Sequence, residues 1–125
     1  MNAAWVALGG GLGALARYAF MMLFADFTRH TVFPWVILSV NVLGSLLAGV
    51  AFAMVHDKQW LSVAPQHLLI VGVLGGFTTY SAFSVDCVRL MQAGQWLLAG
   101  SYVALTTVLC FAATALGMML VRQWL

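Results

Sequence analysis

Two polar side chains stand within long apolar stretches of this sequence, where hydrocarbon would offer them no partner. Arg17 follows a run of sixteen uncharged residues, and Asn41 lies within a second such run, about a third of the way into the helix predicted there. A charge at the centre of a membrane costs at least about 2.5 kcal/mol. Arg17 therefore predicts either a side chain that reaches back to the interface or a cation in a water-filled vestibule that attracts anions. Asn41 predicts either a hydrogen bond between helices or a donor to a passing anion.

A second set of candidate functional residues lies between Gly75 and Ser84, where the sequence is GGFTTYSAFS. Adjacent glycines followed by two threonines favour a break in a helix, and the freed carbonyls need either neighbouring hydroxyls or a monovalent cation. Tyr80 and Phe83 are three residues apart, so a helix would place their rings on one face. Ring edges carry positive potential. The segment predicts either a path for a small anion or, for the rings alone, core or lipid packing.

Hydroxyl groups accompany the aromatic pair and recur near the C-terminus. Ser81 and Ser84 share the three-residue spacing, and hydroxyls can donate to anions. A stripe of side chains at intervals of four predicts either the lining of a path or hydrogen bonds between helices. Its members are Tyr102, Thr106, Cys110 and Thr114.

The elements that must position these residues follow from composition. Of 125 residues, 64% are hydrophobic and 6% are charged, whereas a soluble domain has about 25% charged residues. So few charged residues exclude a soluble enzyme and a disordered chain. A basic nucleic-acid-binding protein is also excluded, because a net charge of +2 is too small for a phosphate-binding surface. The sequence predicts an all-α membrane protein with a single domain over residues 1–125. Its four transmembrane helices are predicted at about residues 3–27, 33–56, 66–92 and 95–123.

Basic residues are balanced between the two sides of such a bundle. Lys58 and Arg122 fall on one side, and Arg29 and Arg89 fall on the other. The excess of basic residues that normally fixes orientation is therefore missing. The balance predicts either a dual-topology protein that pairs in antiparallel fashion or a preferred orientation whose bias is too weak to read from these charges.

Three motifs together resemble the Fluc (CrcB-like) family of fluoride channels, and the resemblance covers essentially the whole chain. The first is GGLGALARY over residues 10–18, the second is NVLG over residues 41–44, and the third is GGFTTYSAFS over residues 75–84. The third motif is highly specific on a four-span chain of this length.

The resemblance implies a passive, fluoride-selective channel that exports fluoride across the cell (inner or plasma) membrane. It implies an antiparallel, dual-topology homodimer with two fluoride pathways and a structural sodium ion at the dimer interface. That ion would be held by the backbone carbonyls of Gly75 and Thr78 from both subunits, at the broken third helix. The positions that match the family's vestibule and pathway residues are Arg17 for the vestibule and Asn41, Tyr80, Ser81, Phe83, Ser84 and Thr114 for the pathway.

Two positions depart from the family's pattern. Tyr80 stands where the family usually has phenylalanine, and its hydroxyl could bind fluoride, block the path or slow transit. Ala82 stands where the family often has threonine, so one hydroxyl is missing. Both departures affect the expected rate of fluoride transport more than the resemblance to the family.

Two other functions fit a chain of this size. A small dual-topology multidrug transporter would match in length and topology, but it requires a membrane-embedded glutamate in the first helix, where this chain has Arg17. Pairs of small residues four apart, such as Gly9/Gly13 and Gly72/Gly76, predict close approach of helices. A non-transporting membrane subunit would use these spacings for packing alone. An enzyme is not expected, because the sequence has no nucleophile–base set and no cluster of metal ligands.

Overall fold

The computed structural model describes residues 2–125, and Met1 alone lies outside the described part of the chain. Within residues 2–125 the structure is all-helical and has no strand. Four helices are long and apolar enough to cross a membrane, which confirms the predicted number of spans. These spans are Asn2–Leu23, Trp35–His56, Val63–Gln92 and Trp96–Trp124.

The first span ends earlier than the sequence predicts. Helix α1 covers Asn2–Leu23, and after Phe24 a short helix α2 covers Ala25–Arg29. Residues 18–28 include no glycine or proline, so no local signal marks this change. Helix α3, Trp35–His56, follows Pro34 and is the second span.

The third span is divided into four helical pieces. Helix α4 covers Val63–Gln66, a π-helical segment covers His67–Leu74, α5 covers Gly75–Phe77 and α6 covers Tyr80–Gln92. Between α5 and α6 lie Thr78 and Thr79, which we call the linker. The fourth span is the single helix α7, Trp96–Trp124.

The helices pack in two close pairs through small residues. Helix α1 lies against the third span, where an added methyl group at Gly13 would overlap the Val73 carbonyl oxygen. Helix α3 lies against α7, where a methyl group at Gly49 would overlap the Thr114 carbonyl oxygen. Such close backbone approach is typical of helix pairs in lipid. The pairing places the linker between α1 on one side and α3 on the other.

The outer surface is apolar, and tryptophans mark both ends of the bundle. On α1, Leu8, Leu12 and Leu15 are all exposed, as expected for a surface that contacts lipid tails. All five tryptophans fall near helix ends or in loops, where amphipathic rings meet lipid headgroups. They are Trp5, Trp60 and Trp124 at one end and Trp35 and Trp96 at the other.

Candidate functional site

An open groove of about 620 Å³ runs beside the linker, between the second, third and fourth spans. Its wall is mostly apolar, with a small number of hydroxyl and amide groups. Most of the predicted site residues meet here. The groove is lined by Asn41, Gly75, Thr78, Tyr80, Phe83 and Thr114, together with Thr106 and Cys110 from the α7 stripe.

The backbone of the linker is extended within the third span. Thr78 has φ −75° and ψ 156°, and Thr79 has φ −151° and ψ 115°. Neither pair of angles is helical. Peptide groups near the linker therefore lack their normal helical partners, and the locations of their hydrogen bonds decide what the groove offers a ligand.

Asn41 binds both polar groups of the Thr79 backbone. Its Nδ2 donates to the Thr79 carbonyl at 3.0 Å, and the Thr79 N–H donates to its Oδ1 at 2.9 Å. Both residues are buried. In a continuous helix the Thr79 N–H would donate to the Gly75 carbonyl. Asn41 takes that donor, so the Gly75 carbonyl is left without its usual helical partner.

The Thr78 carbonyl also has a hydrogen-bond donor different from the one that a continuous helix would give it. In a continuous helix the Ala82 N–H would donate to the Thr78 carbonyl, but here it donates to Thr79 Oγ1 at 3.1 Å, so that Thr79 caps α6. Arg17 Nη1 donates to the Thr78 carbonyl instead, at 3.1 Å. Arg17 is thus placed at the linker and is not among the residues that line the groove.

The aromatic pair lies at the start of α6. The rings of Tyr80 and Phe83 have centroids 5.4 Å apart, and Phe83 lies 5.0 Å from the fully buried ring of Tyr102. Phe83 is buried, whereas Tyr80 is 80% exposed to the groove. One ring is therefore fixed by packing, and the other is largely exposed where it lines the groove.

The hydroxyl groups are placed less uniformly than their spacing suggests. Ser84 Oγ donates to the Tyr80 carbonyl at 3.0 Å, within its own helix, and Ser81 Oγ contacts Thr79 Oγ1 at 3.2 Å. Neither serine is among the residues that line the groove. Thr114 lines it, yet its hydroxyl donates to the Ser45 carbonyl at 3.2 Å. The Thr106 hydroxyl oxygen is buried and has no hydrogen-bond partner within residues 2–125.

The sequence-based site omitted one residue that is central to this geometry. Thr79 caps α6 with its side chain and is held by Asn41 through its backbone. A threonine directly before a helix is a preferred cap, and this signal was present in the sequence. It becomes visible only once the start of α6 is placed at Tyr80.

Comparison with known proteins decides the family. The family model described as CrcB-like protein, Camphor Resistance (CrcB), matches residues 4–118. The chain belongs to the CrcB-like family. The match includes the linker, the groove and the contact between α1 and the third span.

Individual relatives match this chain over nearly its full length. A protein of Saccharophagus degradans is 42% identical over 118 residues, which are 94% of this chain and 87% of the relative. One from Magnetococcus marinus is 42% identical over 123 residues, 98% of each chain. One from Hahella chejuensis is 40% identical over 118 residues, 94% of this chain and 92% of the relative. Each is named "Fluoride-specific ion channel FluC".

The family and the four apolar helices together establish a multi-pass membrane protein. The three relatives are named as ion channels and not as enzymes or drug transporters. This is in keeping with Arg17 at the place where a drug transporter of this size requires a glutamate.

Proposed function

We propose that this protein is a passive, fluoride-selective channel that exports fluoride across the cell membrane. The observation that carries the proposal is the groove, in which the Asn41 amide and the Tyr80–Phe83 aromatic pair meet beside the linker. The full-length relatives named as fluoride-specific channels support it.

The proposed pathway follows the groove. Fluoride is small and strongly hydrated, so its water must be replaced by convergent donors and positive potential, without binding so tight that the ion cannot leave. The Asn41 amide has one N–H beyond the bond to Thr79, and the Thr106 hydroxyl is unpartnered within residues 2–125. Ring edges of Tyr80 and Phe83 supply positive potential without water. Ser81, Ser84 and Thr114 would join the pathway by rotating their hydroxyls away from their present acceptors.

A structural sodium ion at the linker is the second part of the proposal. The Gly75 and Thr78 carbonyls have both lost their usual helical donors, to Asn41 and to the Thr79 cap. Carbonyl oxygens suit a hard cation, and the Thr78 oxygen has a second lone pair beside the one that accepts from Arg17. Bound there, sodium would supply positive charge beside the groove. Replacing sodium with a bulky organic cation should impair assembly, read as loss of the dimer on size exclusion.

The third part is an antiparallel, dual-topology homodimer with one pathway in each of two grooves. The groove of a single chain is open, and Tyr80 is 80% exposed in it. A second copy would close it. Pairing in antiparallel fashion fits the balanced basic residues, with Lys58 and Arg122 at one end and Arg29 and Arg89 at the other.

The experiment that tests the function is ion efflux from liposomes containing the purified protein. Fluoride loss is followed with a fluoride electrode, and the same liposomes are then loaded with chloride. We expect rapid fluoride loss and negligible chloride loss. Equal loss of both ions would contradict selectivity. Absence of flux from both the natural protein and its Tyr80→Phe variant would contradict a channel and favour a non-transporting membrane subunit.

A further inference from the structure

Arg17 has a position that its charge alone does not explain. Gly9, Gly13 and Arg17 follow one another at intervals of four on α1, so they share a face. Methyl groups at Gly9 and Gly13 would overlap the Leu68 and Val73 carbonyl oxygens, so this face lies directly against the third span. One turn further along, the same face carries the Arg17 guanidinium to the linker.

The acceptor that Arg17 reaches is a backbone group that the fold has made available. The Thr78 carbonyl has lost the Ala82 N–H to the Thr79 hydroxyl, and Arg17 Nη1 takes its place at 3.1 Å. The ion pairs found within residues 2–125 join Arg29 to Asp26 and Arg122 to Asp57, and neither includes Arg17. A half-buried arginine with a carbonyl as its partner makes a strong, charge-assisted hydrogen bond.

We infer that Arg17 is a positioning residue that holds the Thr78 carbonyl and so keeps the linker extended. The inference rests on the proposed channel function where flux is its readout. A fixed Thr78 peptide fixes Thr79, and Thr79 begins the helix that carries Tyr80 into the groove. The contribution of Arg17 to transport is therefore local geometry and not long-range attraction of anions.

Ionic strength separates these two roles. Attraction between an exposed charge and an approaching anion is screened over about 10 Å at 0.1 M salt, and over about 3 Å at 1 M. A short hydrogen bond to a carbonyl is much less sensitive to screening. Fluoride flux is therefore measured for the natural protein and Arg17→Met at low and high concentrations of an impermeant salt, with sodium held constant.

We expect Arg17→Met to lower fluoride flux by about tenfold or more, by the same factor at both ionic strengths. Tyr18→Met is the control, because Tyr18 is the exposed neighbour of Arg17 on α1 and its replacement leaves the balance of basic residues between the two ends unaltered. It should leave flux unchanged. A deficit in Arg17→Met that shrinks as salt rises would overturn the inference in favour of a vestibule charge.

Arg17→Lys also separates a vestibule charge from a positioning residue, and it can be used if Arg17→Met is poorly produced. Lysine keeps the charge but replaces the planar guanidinium with a compact ammonium on a different stem. A vestibule charge predicts the flux of the natural protein, whereas positioning predicts a flux between those of the natural protein and Arg17→Met. Natural flux in Arg17→Lys would overturn the inference.

A stability cycle tests the contact without any fluoride. Thr79→Val removes the hydroxyl that holds the Ala82 N–H and so lets that N–H return to the Thr78 carbonyl. We expect Arg17→Met to lower the thermal midpoint in detergent by less in the Thr79→Val background than in the natural protein. Thr79→Ser keeps the hydroxyl and should preserve the full effect. Additive effects would overturn the inference.

The two readouts separate the inference from the proposed function. If the natural protein conducts no fluoride but the stability cycle shows coupling, the channel proposal fails and the role of Arg17 stands. If the protein conducts fluoride and the stability effects are additive, the channel proposal stands and the role of Arg17 fails.

Discussion

The Asn41 side chain pairs with the backbone of Thr79 at both of its polar ends, donating at 3.0 Å and accepting at 2.9 Å. The two residues are 38 positions apart and both are buried. A carboxamide is matched to this task because it carries a donor and an acceptor side by side. The contact joins α3 to the linker and releases the Gly75 carbonyl from its helical donor.

The first prediction concerns this contact. Asn41→Asp keeps the shape but replaces the donor with an oxygen that faces the Thr79 carbonyl, and it buries a negative charge beside a proposed anion pathway. A lost hydrogen bond and an unsatisfied buried group should cost about 1–3 kcal/mol of stability. Fluoride efflux should fall by about tenfold or more. Asn2→Asp, at the exposed start of α1, is the control, and equal flux in both variants would contradict the role of Asn41.

Sequence reasoning predicted the elements of the fold but not the partners of its polar groups. The lengths of uncharged stretches predicted four spanning helices, and the structure confirms them. The spacing of Gly9 and Gly13 predicted close approach to some helix, and α1 does lie closely against the third span. The spacing of small residues describes one face of one helix, so it could not identify which other helix packs against that face.

The site illustrates the same limit at the level of single atoms. Arg17 and Thr78 are 61 residues apart, and their bond exists because the Thr79 hydroxyl has taken the Ala82 N–H. The preference of threonine for a cap position is a local signal for the Thr79–Ala82 bond, but no local pattern identifies Arg17 as the donor that then binds the Thr78 carbonyl. Likewise, the spacing of Ser81 and Ser84 predicted a hydroxyl face, whereas Ser84 donates to the backbone of its own helix. A hydroxyl can turn to a nearby carbonyl, and sequence does not fix its rotamer.

The second prediction tests the contact between α1 and the third span. In Gly13→Ala the new methyl group would overlap the Val73 carbonyl oxygen, a backbone atom that cannot move alone. The helices must separate, at a cost of about 1–3 kcal/mol. Gly11→Ala is the matched control, since nothing lies within 4 Å of its added methyl group. Thermal unfolding in detergent should show a lower midpoint for Gly13→Ala and an equal or higher one for Gly11→Ala. Equal midpoints for the two variants would contradict the packing.

The third prediction concerns Phe83, which packs between Tyr80 and Tyr102. Phe83→Ile keeps an apolar side chain of similar bulk but removes the ring edge that would face the anion. Aromatic contacts are worth about 0.5–1.5 kcal/mol beyond burial, so flux should fall by up to about tenfold. Phe27→Ile, on the exposed helix α2, controls for the loss of a ring. Unchanged efflux in Phe83→Ile would remove Phe83 from the pathway.

The fourth prediction concerns orientation. At the end that carries the C-terminus, Arg122 pairs with Asp57 at 2.6 Å, while at the opposite end Arg29 lies 3.8 Å from Asp26. With basic residues balanced, copies should insert both ways. A C-terminal accessibility tag should react with a membrane-impermeant reagent from both sides of the membrane. Adding two lysines after Leu125 should bias the labelling to one side; labelling of the unmodified protein from one side alone would refute dual topology.

The fifth prediction concerns the hydroxyl of Tyr80. This ring is 80% exposed in the groove and lies 5.4 Å from Phe83. A hydroxyl adds a donor to a position where a ring edge alone would pass the ion, and an ion that binds more tightly leaves more slowly. Tyr80→Phe removes one oxygen and leaves the ring in place, so it should raise fluoride efflux without increasing chloride efflux. Tyr18→Phe, at an exposed position on α1, should change neither. A fall in fluoride efflux in Tyr80→Phe would show instead that the hydroxyl takes part in transport, by replacing a water molecule that fluoride must otherwise keep.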